Sequence, residues 1–154
     1  MDSNKGFTLV EILIVVIILG ILAAIVIPQF TEASNDARES AMTSDLQTVR
    51  SQVELYKVQH LEKLPSVDEN GSADTANFKN RLTGRTDQDG TINASGAFGP
   101  YLQKFPSNPF ATTNQDGVTF GTADPAPGND ATGWYFHTSL GKFSANDTTT
   151  HAAL

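Results

Sequence analysis

The chain has 154 residues, a net charge of −7 and no cysteine. This length suits one modest domain and one long helix rather than two independent cores. The acidic balance argues against nucleic-acid binding, and the lack of cysteine excludes a disulfide framework, a thiolate metal site and a cysteine nucleophile.

The first predicted element is an apolar run, residues 7–27, in which the only charged residue is Glu11. A helix of this length spans about 30 Å, the thickness of a bilayer core. A signal peptide fits less well, because its apolar region is usually about 7–15 residues long and because Ala23-Ala24 makes a poor cleavage site before Ile-Val-Ile-Pro. A plain membrane anchor remains open on hydropathy alone.

Charges on either side of the run favour one orientation in a membrane. Lys5 precedes it, and acidic residues follow it at Glu32, Asp36 and Glu39. Because positive charge is retained on the cytoplasmic side, this asymmetry favours an N-terminus inside and the rest of the chain outside.

Glu11 is the feature that a plain anchor does not need. A carboxylate in an apolar span costs about 2.5–3.5 kcal/mol on insertion scales and should have a partner. Glu11 lies in the first helical turns, where the helix dipole favours negative charge, and it shares a helix face with Phe7. A cut between Gly6 and Phe7 would create an α-amine one turn from this carboxylate.

The segment Lys5–Glu11, with the sequence KGFTLVE, and the apolar run after it resemble the class III signal of type IV pilins and pseudopilins. The resemblance implies an α+β, type IV pilin-like fold, in which a long N-terminal helix packs on a small antiparallel β-sheet. It also implies cleavage after Gly6 by a prepilin peptidase, N-methylation of Phe7, and a role in assembly between subunits for Glu11 and Phe7.

The same resemblance divides the chain into residues 1–6 as a prepilin leader peptide, 7–30 as a transmembrane and polymerisation helix, and 31–154 as a periplasmic head. The helix continues into the head to about residue 62. Gly20 and Pro28 are weak points of this helix, since glycine costs about 1 kcal/mol relative to alanine and proline about 3 kcal/mol. A gentle kink and a segment that loosens during subunit packing both remain open.

Within the head, apolar residues recur at spacings of 4, 3, 4 and 3, at Met42, Leu46, Val49, Val53 and Tyr56. This pattern predicts a helix whose apolar stripe packs on the head's own sheet. A coiled-coil partner is less favoured, because the repeat lasts only about two heptads. Leu64, pushed out of helical geometry by Pro65, is predicted to end the helix.

Short elements follow. A helix is predicted at residues 75–82 with Asp74 as its N-cap, and strands at residues 117–122, 133–137 and 142–145. The expected sheet is antiparallel, and its core candidates are Trp134, Phe136 and Phe143. Residues 146–154 carry no apolar pattern and are predicted to be weakly ordered.

Residues 99–110 contain three prolines, which predict a stiff, extended segment rather than a helix or central strand. They resemble the Gly-Pro-Tyr-Leu-x-x-x-Pro-x-x-Pro segment of major, G-type pseudopilins of type II secretion. Two alternatives are a type IV pilin for adhesion or motility and a membrane-anchored periplasmic binding module that does not polymerise.

Metal and enzyme chemistry have little support in the sequence. Many major pseudopilins hold calcium in a C-terminal loop, and the calcium candidates here are Asp124, Asp130 and Asp147, which do not by themselves supply a six-ligand oxygen cage. At residues 87–90 a turn is favoured over a calcium loop. The three histidines lack metal-ligand spacing, and no nucleophile elbow or phosphate-binding loop is present in the sequence, so an enzyme is not expected.

The resemblance therefore implies a structural subunit of a type II secretion pseudopilus that drives protein export. It implies one pass through the bacterial inner membrane, with a cytoplasmic N-terminus, a periplasmic head and, after assembly, a periplasmic filament. The implied partners are other copies of the chain in a helical homopolymer, minor pseudopilins, the inner-membrane assembly platform, the prepilin peptidase and the membrane. Nucleic acid and cofactors other than calcium are not expected.

Processing gives the first test. In a host with a prepilin peptidase, the mature chain should begin at N-methylated Phe7, and Gly6→Leu should leave it uncleaved in the membrane. Mass spectrometry of the N-terminal peptide measures both outcomes. A chain that begins after Ala24, or intact wild-type chain alone, would contradict the resemblance.

Overall fold

A computed structural model describes residues 6–154 and shows two compact units, one ending at Glu39 and one comprising Ser40–Leu154. Residues 1–5 of the expected leader, including Lys5, lie outside the described residues. In chain order the elements are helix α1 (Leu9–Gln59), helix α2 (Phe78–Thr83), strands β1 (Val118–Gly121), β2 (Trp134–His137) and β3 (Phe143–Ala145), and helix α3 (Thr149–Ala152). The long first helix and the small sheet confirm the predicted α+β, type IV pilin-like class.

The predicted apolar stripe of α1 is buried within the second unit. Its five side chains are at most 1% exposed: Met42, Leu46, Val49, Val53 and Tyr56. They share one core with Phe78 and Leu82 of α2 and with the three predicted aromatic residues of the sheet, Trp134, Phe136 and Phe143. The stripe therefore packs inside the chain, as the sequence predicts.

The end of α1 differs from the prediction. The helix ends at Gln59, and a turn continues to Glu62, whose N–H donates to Lys57 O at 2.9 Å. Leu61 and Glu62 adopt left-handed conformations, with φ of 57° and 64°, which are incompatible with continued α-helix. The helix thus ends before the chain reaches Pro65, so Pro65 is not the residue that ends it.

The second helix is shorter than predicted. It begins at Phe78, and Asp74 does not cap it. Asp74 instead accepts hydrogen bonds from Arg81 Nη2 at 2.7 Å and from Asn77 Nδ2 at 2.9 Å. Arg81 is buried, so its guanidinium group needs a carboxylate partner. The Asp74 side chain forms this ion pair instead of capping α2, which is the role that the sequence predicts for it.

The sheet has the strand order β1-β2-β3. Strands β2 and β3 pair antiparallel, but β1 and β2 pair in parallel, from Val118 opposite Trp134 to Gly121 opposite His137. The antiparallel prediction thus holds for one pair and is wrong for the other. A parallel pair needs a long crossover connection, and the loop of residues 122–133 provides it.

The C-terminal segment is ordered, contrary to the prediction. Thr148 Oγ1 accepts a hydrogen bond from His151 N at 3.2 Å and so caps α3. Asn146, Asp147 and Ala152 are buried. The order comes from tertiary contacts of polar side chains, which an apolar pattern does not reveal.

His60 follows α1 directly and is fully buried. Its Nδ1 lies 2.8 Å from Tyr56 O, its Nε2 lies 2.8 Å from Thr86 Oγ1, and its ring stacks on Tyr56 with the centroids 3.8 Å apart. Since a carbonyl only accepts, we assign the proton to Nδ1, and Nε2 then accepts from the Thr86 hydroxyl. Burial lowers the pKa of His60, and this effect outweighs the opposing hydrogen bonds to Tyr56 and Asp87 and the charge of Asp89.

Acid should therefore destabilise the second unit through His60. The folded-state pKa lies below the unfolded value of about 6.5, so the unfolded chain takes up the proton first. The stability contributed by neutral His60 is present above about pH 6.5 and is lost as the pH falls towards the folded-state pKa. His60→Gln should flatten this dependence, whereas Thr86→Val, which keeps the imidazole, should retain it.

Thermal unfolding of the full chain in detergent, followed over a series of pH values, measures this slope for all three proteins. Equal slopes in wild type and His60→Gln would show that His60 is not the group responsible.

Candidate functional site

The start of α1 is closed by a reciprocal pair of side chains, Thr8 and Glu11. The Thr8 N–H and Oγ1–H both donate to Glu11 Oε2, at 2.9 and 2.7 Å, and the Glu11 N–H donates to Thr8 Oγ1 at 3.2 Å. Thr8 is thus the N-cap, and Glu11 is the third helical residue. This arrangement is a capping box, in which two otherwise unpaired backbone donors are satisfied.

The capping box was not part of the sequence interpretation, although its signal was present. Thr8-Leu9-Val10-Glu11 fits the pattern of Ser or Thr followed three residues later by Glu or Gln, just before an apolar run. The structure therefore gives Glu11 a local role in beginning the helix. Among residues 6–154, hydrogen bonds reach only one of its two carboxylate oxygens, Oε2, so Oε1 remains available to a donor from another molecule.

Gly6 and Phe7 precede the helix at an exposed position. The Phe7 side chain is 84% exposed. A Cβ atom added at Gly6 would meet no atom of the described residues within 4 Å. The fold of the described residues thus does not require glycine at position 6. This is compatible with a glycine that is recognised by a separate molecule, such as a peptidase.

The two expected weak points lie within α1. The helix runs without interruption through Gly20 and Pro28, so neither residue breaks it in this single chain. A Cβ atom at Gly20 would also meet nothing within 4 Å, so no close neighbour within the chain requires glycine there. Loosening of this segment during subunit packing stays a prediction.

The first half of α1 has the character of a membrane span. Among the described residues, α1 is the one helix that is long and apolar enough to cross a membrane, and its most apolar window is not buried at all. Large aliphatic side chains from Leu9 to Ile27 are between 42% and 81% exposed. Such a surface needs lipid or other apolar chains around it.

The three calcium candidates do not converge. Asp124 Oδ1 accepts from Lys142 Nζ at 2.7 Å, and Asp130 pairs with the backbone and hydroxyl of Thr112. Asp147 is engaged by the side chains of Asn108 and His151. No group of three or more His, Asp and Glu residues in the described part of the chain is placed to hold a metal ion. Calcium binding stays a prediction.

Comparison with known proteins places these features in a family. The family model of the prokaryotic N-terminal methylation motif matches residues 1–27, which include Gly6, Phe7 and Glu11. The type II secretion system core protein G of Pseudomonas aeruginosa is 33% identical over 113 residues, which cover 73% of this chain and 72% of the relative. The chain belongs to the type II secretion system core protein G family.

Two other relatives are named as a core protein G and as a type IV pilus component. The core protein G of Pectobacterium carotovorum is 30% identical over 114 residues, covering 73% of this chain and 65% of the relative. A type IV narrow pilus major component of Thermus thermophilus is 37% identical over 65 residues, covering 42% of this chain and 55% of the relative. This chain thus spans less than two thirds of these last two relatives. No solved structure matches the chain.

The capping box separates two roles of Glu11 that a single substitution would confuse. Glu11→Gln should preserve the start of α1, because the Gln side-chain oxygen can still accept from Thr8. Thr8→Ala should loosen it by about 1 kcal/mol, because it removes the N-cap hydroxyl while leaving the Glu11 charge.

Amide hydrogen exchange in detergent, read at residues 8–11, measures the difference. Faster exchange in Thr8→Ala than in Glu11→Gln is the expected order. The reverse order would show that the helix start depends on the Glu11 charge rather than on the box.

Proposed function

We propose that this chain is a structural subunit of a type II secretion pseudopilus, a filament of many copies that drives protein export. Its membership of the core protein G family is the observation that carries this proposal. The methylation-motif match over residues 1–27 and the exposed apolar half of α1 support it. The role is mechanical rather than catalytic.

In this proposal the chain enters the inner membrane through residues 7–30, with its N-terminus in the cytoplasm and residues from about 31 onward in the periplasm. A prepilin peptidase cuts between Gly6 and Phe7, and the new α-amine is N-methylated. The exposed position of both residues supports access by such an enzyme. Minor pseudopilins and an inner-membrane assembly platform are the further partners that the family resemblance implies.

Glu11 supplies the charge that selects the incoming subunit. An α-amine titrates near pH 8, and methylation leaves it protonated, so the processed chain carries a cation on Phe7. An ionised carboxylate within an apolar bundle is tolerable beside such a cation, whereas breaking a buried pair costs about 3–5 kcal/mol. Thr8 occupies only Oε2, so Glu11 can begin its own helix and accept the neighbour's amine with the same side chain.

Two other functions are less favoured. A type IV pilin for adhesion or motility would share the same N-terminal site. The Thermus thermophilus relative is named as a type IV narrow pilus major component, but its alignment is shorter. A membrane-anchored binding module that never polymerises would not need a methylation motif. The three functions predict different outcomes. A pseudopilin forms filaments and restores secretion, a type IV pilin forms filaments without restoring secretion, and a binding module forms no filaments.

The test is complementation of a bacterium that lacks its own major pseudopilin and secretes a measurable enzyme. Wild type should restore secretion and, when overproduced, form filaments visible by electron microscopy. Glu11→Val and Glu11→Gln should insert and be processed but should lose assembly, while Thr8→Ala, which retains the charge, should still assemble.

Filaments from Glu11→Gln at wild-type yield would refute the recruiting role of the charge and leave Glu11 as a helix-capping residue. Absence of both filaments and secretion from processed wild type would refute the proposed function itself.

A further inference from the structure

The C-terminal segment, residues 146–154, contains the calcium candidate Asp147, whose side chain is 2% exposed. Asp147 Oδ1 accepts a hydrogen bond from Asn108 Nδ2 at 2.8 Å, and Oδ2 accepts one from His151 Nδ1. An ionised carboxylate only accepts, so we assign a proton to His151 Nδ1. Both oxygens of this buried group thus have donors from the chain itself, which lowers the cost of burying a carboxylate.

Asn108 is held in the orientation that this contact needs. The residue is fully buried, and its Nδ2 also donates to Gly133 O at 2.8 Å. Its Oδ1 accepts from Phe110 N at 2.9 Å. Because a carbonyl lies on one side of the amide and an N–H on the other, reversing the amide would lose both hydrogen bonds. The NH₂ group of Asn108 therefore faces Asp147.

His151 is likewise fixed by more than one contact. Its ring packs on Phe110 with the centroids 4.8 Å apart, and its backbone N–H donates to the N-cap Thr148 Oγ1 at 3.2 Å. His151 follows Asp147 by four residues, so the two side chains lie one helical turn apart. Helix α3 and Phe110 thus place the imidazole where its Nδ1 meets the Asp147 carboxylate.

The loop between β1 and β2 meets the C-terminal segment directly. Asn146 Nδ2 donates to Asn129 Oδ1 at 3.1 Å, and Asn146 O accepts from Asp130 N at 2.7 Å. Gly128 has a φ of 59°, and a Cβ atom added there would lie 2.4 Å from the backbone of Thr148. Glycine therefore permits a close approach of the two backbones, and side-chain amides join them.

This set of contacts does not suit a calcium ion. Calcium takes about six to eight oxygen ligands at about 2.3–2.6 Å. The Asp147 oxygens face N–H donors, Asp124 forms an ion pair with Lys142, and the Asp130 carboxylate accepts from Thr112. Calcium at any of these carboxylates would have to displace donors that the chain already supplies.

We propose that Asn108 and His151 hold the C-terminal segment on the head through Asp147, in place of the calcium that the family resemblance implies, and that the head folds without calcium. The two N–H donors give this carboxylate the partners that a cation would otherwise provide. Subunits of this kind keep their fold when calcium is scarce. The inference concerns the fold of a single chain and does not rest on the proposed function.

Thermal unfolding of the full chain in detergent tests the independence from calcium. Trp134 is the one tryptophan in the sequence and is fully buried, so its fluorescence reports on the head. The midpoint should agree within about 1 °C in about 10 mM calcium, in about 10 mM magnesium and in EGTA. A calcium site with a Kd of about 1 mM or below would instead raise the midpoint in calcium by about 4 °C or more.

A substitution tests the role of His151. His151→Phe removes the Nδ1 donor and keeps an aromatic ring beside Phe110. In EGTA, amide hydrogen exchange of residues 148–154 should become at least about tenfold faster than in wild type, because the buried carboxylate loses one of its two donors. Exchange in β2, residues 134–137, should not change.

Asp124→Asn is the matched control, because it removes another calcium candidate whose ion pair with Lys142 is exposed. Exposed ion pairs contribute little to stability, so exchange of residues 148–154 should stay at the wild-type rate in this variant.

A higher wild-type midpoint or slower exchange of residues 148–154 in calcium, but not in magnesium, would overturn the inference. Equal exchange in wild type and His151→Phe would show that His151 does not hold the segment. Faster exchange in β2 as well would mean that the whole head had unfolded and would contradict a local role. The wild-type comparison in calcium and EGTA decides the calcium question whether or not the variant folds. Neither measurement uses assembly, so these outcomes leave the proposed function untouched, and failure of wild type to assemble would leave this inference untouched.

Discussion

Burial of the α1 stripe is the contact on which the rest of the head depends. One row of side chains at helical spacing, from Met42 to Tyr56, meets α2 and the aromatic residues of the sheet. The apolar face of a sheet must be buried against another element, and here α1 supplies the surface that covers it. The strands are short, so the helix is the element that sets where they lie.

Polar contacts at the edges of this core then fix the loops. Arg81 donates to Pro65 O, Asp74 O and Gly90 O as well as to the Asp74 carboxylate, and so joins three separate loop segments. Arg50 of α1 donates to Phe143 O of β3 at 2.8 Å and to Leu154 O at 2.9 Å. The buried Arg81 guanidinium has carbonyl and carboxylate partners because an unpaired charge in the interior is costly. The half-buried Arg50 keeps one buried nitrogen, Nη2, without a hydrogen-bond partner among the described residues.

Two parts of α1, its first turn and its length within the head, combine contacts inside the chain with exposed groups. At the N-terminal end, the Glu11 carboxylate accepts two hydrogen bonds from Thr8 through one of its oxygens, Oε2, while its other oxygen, Oε1, accepts none from residues 6–154. Within the head, the same helix has one buried row, from Met42 to Tyr56, and one exposed uncharged row, Ser44, Thr48, Ser51, Leu55 and Val58. The two rows lie on opposite sides because positions two residues apart are rotated by about 200° around the helix.

Features that depend on residues close along the chain could be predicted from the sequence alone. The apolar span, the α1 stripe and the approximate positions of all three strands follow from local composition and period, and the Thr8–Glu11 box was equally readable. The cleavage signal between Gly6 and Phe7 rests on the resemblance to type IV pilins and stays a prediction. Three other features are set by the tertiary structure: the parallel pairing of β1 with β2, the ion pair that Asp74 forms with Arg81 instead of capping α2, and the order of residues 146–154. The sheet pairing and the order of residues 146–154 depend on groups distant in sequence, such as Asn108 against Asp147, and the Asp74 pair depends on the burial of Arg81. Periodicity carries no information about which distant polar group will satisfy a buried one, because that choice is made by packing of the whole head.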